Sequence, residues 1–133
     1  MLAAFGAAAV LDRETGLVWE KAPSTGVLTW SQAISGAQFN CANKAVGGRK
    51  GWRLPSFPEL ASLVDPNNQS PSLPTGHPFS NVQSASYWSA TTFAGFPADA
   101  FQVNFSNGFV GIFPKSATLA FWCVRGGMNA DAY

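Results

Sequence analysis

Asn107-Gly108, set between two runs of alternating apolar and polar residues, constrains this chain more than any other feature. An Asn-Gly pair suits a two-residue type I′ turn, so the flanking runs become antiparallel strands. That turn predicts a register in which Ser106 faces Phe109, Phe105 faces Val110, Asn104 faces Gly111, Val103 faces Ile112 and Gln102 faces Phe113. Phe101, Val103, Phe105, Val110 and Ile112 then share one face, which becomes the core side. Gln102, Asn104, Ser106, Phe109, Gly111 and Phe113 share the other, which puts two phenylalanines on the solvent side. With Phe93, Phe96 and Pro97 in the neighbouring loop Thr92–Asp99, those rings read as a contact surface. In the competing reading another element covers them.

The rest of the chain supplies a framework for that hairpin. MLAAFGAAAV lacks the basic start of a signal peptide and reads as a first strand. Val10-Leu11 and Leu17-Val18-Trp19 flank a polar turn ending in Gly16, giving two more short strands. Thr29 precedes Gln32 at capping-box spacing, and Trp30, Ala33, Ile34, Ala37 and Cys41 follow on one helical stripe that runs to Gly47-Gly48. Trp52-Arg53-Leu54-Pro55 is extended. Ser56 and Glu59 form a second capping box, with Pro58 in the first turn and Leu60, Leu63 and Val64 on the buried side. Asp65-Pro66-Asn67-Asn68 stops this helix, and residues 66–86 form a long polar loop. Tyr87-Trp88-Ser89, Ala100–Ser106, Phe109–Phe113 and Phe121–Arg125 complete a meander. The pattern predicts one α+β domain over 1–133, two helices packed on small antiparallel sheets with long loops.

Composition removes several classes of function. The chain has 133 residues, 11% of them charged, with eight Lys and Arg against seven Asp and Glu. Nothing in that balance steers it to nucleic acid or an anionic membrane, and no apolar run is long enough for membrane insertion. A single His, His77, gives no metal-ligand cluster. There is no Gly-x-Ser-x-Gly elbow, no phosphate-cradling loop before a helix and no paired acids, so neither an enzyme nor a cofactor is expected. Ten of the eighteen aromatic rings fall between Tyr87 and Trp122, and no charge lies between Asp65 and Asp99. Lys44, Arg49, Lys50 and Arg53 form one basic cluster, read either as a solvated turn or as a sulfated-glycan or phosphate contact. Cys41 and Cys123 are either two buried thiols or one bridge.

The motifs also run in the order of one family. DRETGLVWE from Asp12, Thr29-Trp30, Cys41, Trp52-Arg53-Leu54-Pro55-Ser56 and Glu59-Leu60 are followed by Tyr87-Trp88-Ser89. Val103-Asn104-Phe105 with Gly108 and Cys123-Val124-Arg125-Gly126-Gly127 then complete the series. The chain resembles the Lcl C-terminal domain family, found at the end of bacterial collagen-like adhesins. That resemblance implies a C-type-lectin-like fold without enzymatic activity, a Cys41–Cys123 disulfide and a role as a ligand-binding tip. One branch of the family binds sulfated glycosaminoglycans. Another comprises variable proteins of diversity-generating retroelements, whose AAY codons are rewritten at their adenines.

Such rewriting cannot produce Glu, Lys, Gln, Met or Trp. Those five types fill 17 of the 100 residues outside 89–121 and only two of the 33 inside, Gln102 and Lys115. The outward positions of the hairpin and the loops beside it give the expected ligand-binding set, Phe93, Phe96, Asp99, Gln102, Asn104, Phe109, Gly111, Phe113, Ser116 and Thr118, with a protein or surface ligand as partner. Asp99 and Ser116 would add polar specificity to the rings. A glycan-binding tip using Lys44, Arg49, Lys50 and Arg53 is the alternative, and an oligomerisation module is a third possibility. Both binding roles place the domain at a cell surface, in secretion or on a virion.

Overall fold

The turn after the first buried strand shows how local chemistry sets this architecture. Asp12 Oδ1 accepts the Glu14 N–H at 3.0 Å, Gly16 (φ 77°) donates to the Asp12 carbonyl, and the chain reverses into Leu17. A computed structural model describes residues 2–4, 9–12, 14–23, 26–36, 41 and 51–126. Strands β1 (Leu2–Ala4), β2 (Ala9–Asp12) and β3 (Val18–Glu20) pair antiparallel, with Leu11 opposite Val18. Helical backbone begins at Trp30 and continues as a π-helical turn, Gln32–Gly36. Half of the expected capping box is present there, since the Thr29 N–H donates to Gln32 Oε1 at 3.0 Å. The expected continuation of this helix toward Gly47 lies outside the described residues.

Helix α1 (Phe57–Ala61) has both halves of its capping box, Ser56 and Glu59 each binding the other's backbone N–H. Leu60 and Leu63 are buried beneath it. The loop that follows has few apolar anchors, but Leu73 and Phe79 fix it to the core. Strands β4 (Ser86–Thr92), β5 (Asp99–Asn104) and β6 (Val110–Pro114) then form an antiparallel sheet of three. Strand β7 (Val124–Arg125) leaves that meander and pairs with β3, so the expected fourth strand of one sheet closes the other instead.

Residues 119–124 hold the two sheets together. Leu119 bridges Leu28, Ala120 bridges Tyr87, and Val124 pairs with both Trp19 and Arg53. The Trp122 indole N–H donates to the Glu20 carbonyl, and the buried Glu20 carboxylate accepts the Cys123 N–H at 2.8 Å. Cys123 is bonded to Cys41 with 5.5 Å between their Cα atoms, so the bridge implied by the family resemblance is present. On one side of this segment, Trp122 packs against Trp19, Phe79, Tyr87 and Phe105. On the other side, Leu119, Phe121 and the disulfide join Trp52, Leu54, Trp88 and Ala100 in a second core.

The observed hairpin register differs from the predicted one by two residues. Val103 faces Val110, Gln102 faces Gly111, Phe101 faces Ile112 and Ala100 faces Phe113. The competing partner is the long loop. Phe105 and Ser106 accept the N–H groups of Ser72 and Ser70, while the Phe105 N–H donates to Ala85. Both residues are thereby withdrawn from the β5–β6 ladder, and the turn lengthens to residues 105–108. Asn104 Oδ1 accepts the Ser106 N–H and hydroxyl, and Gly108 (φ 80°) donates to the Asn104 carbonyl. A Cβ on Gly108 would also lie 2.9 Å from Val64 Cγ1, so glycine is required there on two counts. A two-residue shift preserves each residue's face, which is why the face assignment survives the change of register.

The Cys41–Cys123 bridge spans 82 residues. Replacing both cysteines by alanine is expected to lower the free energy of unfolding by about 3–5 kcal/mol in the chain-entropy model. Urea denaturation of the two proteins would measure it.

Candidate ligand-binding surface

Strand β5 is central and covered on both faces. Val103 and Tyr87 turn toward the Trp122 core, while Ala100 and Trp88 turn toward the disulfide core. Strand β6 is the edge of its sheet among the described residues, and its burial differs throughout. Val110 is 43% exposed, Ile112 38% and Phe113 38%, with Phe109 just before the strand at 73% and Phe96 at 67%.

Three expectations are corrected at this point. Val110 and Ile112, placed in the core by alternation, are exposed, because β6 is the outer strand of its sheet among the described residues, one strand beyond the buried positions of β5. Gln102, placed on a solvent face, is 7% exposed, because its face of β5 is covered by the disulfide core. Its Oε1 is buried without a hydrogen-bond partner, and its Nε2 would lie 2.7 Å from a Cβ on Gly111. Gly111 thus leaves the space that the Gln102 side chain fills. The third correction concerns Phe93, whose ring stands edge-on to Phe101 at 5.7 Å, and Phe101 in turn stacks on Phe57 at 4.8 Å. Phe93 therefore lies on the Ile112 face, opposite the face that carries Phe109 and Phe113.

The remaining candidates fall along the β6 strip. Phe109, Gly111 and Phe113 share one face, as expected. Loop residues 93–98 are closed by two successive turns, Phe96 N–H to Phe93 and Asp99 N–H to Phe96, which push the Phe96 ring into solvent. Asp99 opens β5 opposite Pro114. Ser116 and Thr118 are exposed in the turn after β6, which the Lys115 N–H ties to Ala98 at 2.8 Å. Phe96, Ser116 and Thr118 therefore gather at one end of β6, and Phe109 stands at the other, roughly 17 Å away along the strand. Asn104 is committed to the turn through its two bonds with Ser106.

Val110 and Ile112 are additions that alternation could not find, because apolar residues occupy both faces of Phe109–Phe113. Such a run reads equally as a strand buried on two sides or as an open edge.

The basic candidates are placed differently. Lys44, Arg49 and Lys50 lie outside the described residues. Arg53 grips both oxygens of Glu59 at 2.7 Å and also donates to the Gly126 carbonyl at 2.7 Å. Its guanidinium thus joins the α1 cap to the end of β7 and is committed to the fold. Among the described residues no group of three or more His, Cys, Asp or Glu could hold a metal, and no helix is long and apolar enough to cross a membrane. A shallow cavity of about 330 Å³ between the β2–β3 turn and the long loop is lined by Asp12, Glu14, Thr75 and His77, away from β6.

Burial raises the Glu59 carboxyl, but the hydrogen bonds from Arg53 and Ser56 and the Arg53 charge outweigh it and leave the pKa below its ordinary value. A lowered folded-state pKa stabilises the protein above the unfolded value, and that contribution is lost as pH falls through the folded one. Glu59→Gln is therefore expected to cost about 1–3 kcal/mol at neutral pH and to flatten the acid limb of stability. Thermal unfolding between pH 2 and pH 7 checks both.

A family model described as the Lcl C-terminal domain matches residues 8–125, a span that includes both cysteines, α1 and all of the β4–β6 sheet. No curated protein gives a significant match.

Proposed function

Starting from the chain's membership of the Lcl C-terminal domain family, we propose that it is a non-enzymatic display domain with a C-type-lectin-like fold. It binds a protein or other surface ligand through β6 and the loops at its ends, and belongs to the retroelement-diversified branch. The observation that carries this reading is the set of rings held in solvent on a well-braced scaffold: Phe96, Phe109 and Phe113. Rigid aromatic side chains supply contact area at a small cost in conformational entropy, as binding surfaces require.

The two exceptions to the codon pattern support the same reading. Lys115 and Gln102 are the residues of 89–121 that adenine rewriting could not produce, and both are tied into the scaffold. Lys115 lies 4.0 Å over the Trp30 ring and donates to Thr92 Oγ1, while Gln102 fills the space above Gly111. Exposed positions between them, Phe109 and Phe113 among them, are all of reachable types. The glycan alternative is left with a weaker basis, because Arg53 is engaged by Glu59 and Gly126.

Sequencing the DNA that flanks the gene tests this directly. The expected result is a near-copy of the codons for residues 89–121, differing only at adenines, beside a reverse transcriptase. A flank without such a copy would reject diversification and return the reading to a fixed-specificity tip, to be identified on a glycan array.

A further inference from the structure

The open edge of β6 has a backbone pattern that matches itself. The Asn104 N–H donates to the Phe109 carbonyl and the Lys115 N–H to the Ala98 carbonyl, both at 2.8 Å. In an antiparallel ladder such pairs alternate, so the Phe109 carbonyl, the Lys115 N–H and both backbone groups of Gly111 and Phe113 point toward β5. Val110 and Ile112 therefore direct their N–H and C=O groups away from the sheet, and no strand meets them among the described residues. Sheet edges in monomers are normally guarded by a lysine, an inward charge, a proline or a bulge. Strand β6 has no charged residue, and its proline comes only at its end.

We infer that β6 pairs with β6 of a second copy of this chain, about a two-fold axis at Gly111, joining the two three-stranded sheets into one of six strands. In this register Val110 lies opposite the partner's Ile112 and Ile112 opposite the partner's Val110. Four hydrogen bonds then satisfy every outward backbone group of the two residues in both copies. On one face the pairs are β-branched, Val110 with Ile112. On the other face Phe109 meets the partner's Phe113 in the more closely spaced, non-hydrogen-bonded type of pair, which favours aromatic contact. The two glycines face each other at the axis. Lys115 falls opposite Asn107, so no like charges are brought together.

No other register does as well. Centring the axis on Ile112 would place Val110 opposite Pro114, which has no N–H to donate. A second copy is favoured over a foreign peptide because one register satisfies the backbone and matches both faces from this strand alone. The inference extends the proposed function: the dimer sets four phenylalanines as two cross-strand pairs on one face, with Phe96, Ser116 and Thr118 beyond the paired residues 109–113. Two short strands bury less than the ~1,200–2,000 Å² of stable complexes, so the association is weak and concentration-dependent.

Sedimentation equilibrium of the whole chain from micromolar to millimolar concentration is expected to show reversible dimerisation. Ile112→Pro removes an outward N–H together with the branched side chain that meets the partner's Val110, and it leaves the β5 ladder intact. It deletes two hydrogen bonds per dimer and should weaken association about thirtyfold. Register is read separately by mild oxidation. A mixture of Phe109→Cys and Phe113→Cys chains should cross-link to each other, whereas either variant alone should not. Circular dichroism confirms that each variant is folded. A monomer at every concentration, or a dimer indifferent to Ile112→Pro whose mixed cysteine chains fail to cross-link, would overturn the inference.

Discussion

Residues 119–124 are the constraint on which everything else rests. This stretch is buried along its whole length, and it supplies hydrogen-bond partners to Leu28, Ser86, Trp88, Glu20 and Arg53 in turn. Neither sheet could be stable alone. A sheet of three short strands needs an apolar face covered by something else, and the four strands of the first sheet are each four residues or fewer. Threading one extended segment between the sheets gives each a shared wall, with Trp122 toward one core and Phe121 toward the other. The disulfide then ties the segment to Cys41, so the wall cannot leave without unfolding the domain.

That arrangement explains the asymmetry of the second sheet. Strand β4 bridges the central segment and β5 lies between β4 and β6, so both are enclosed on two faces. Strand β6 is one strand further from the wall, beyond the reach of either core. Its rings and branched side chains are held in place by the β5 ladder and not by burial. A surface of this kind can change its side chains while the cores below remain intact, which is the property a display domain requires.

Local signals were legible in the sequence where a few neighbouring residues decide the structure. The Ser56–Glu59 box, the turn at Gly16 and the helix stop at Asp65, whose carboxylate accepts the Asn67 N–H, are all of this kind. Non-local competition was not legible. Asn107-Gly108 favours a two-residue turn, but hydrogen bonds from Ser70 and Ser72, more than thirty positions away, capture Phe105 and Ser106 and lengthen it. Alternation assigned Phe109 and Phe113 to one face correctly. It could not show that β6 is an edge, and so it buried Val110 and Ile112 and exposed Gln102. The pairing of β7 with β3 depends on the path of the whole chain, which no local pattern encodes.

Stability resides in the wall and its two cores, while the rings beside β6 are free of that duty. Equilibrium urea unfolding of Phe96→Ser/Phe109→Ser, alongside Phe121→Ala, tests it most directly. The double surface variant should stay within about 1 kcal/mol of the parent. Loss of the single buried ring should cost about 3–5 kcal/mol. If removing Phe96 and Phe109 were as damaging as removing Phe121, the surface would be part of the core, and the separation of scaffold from display would be wrong.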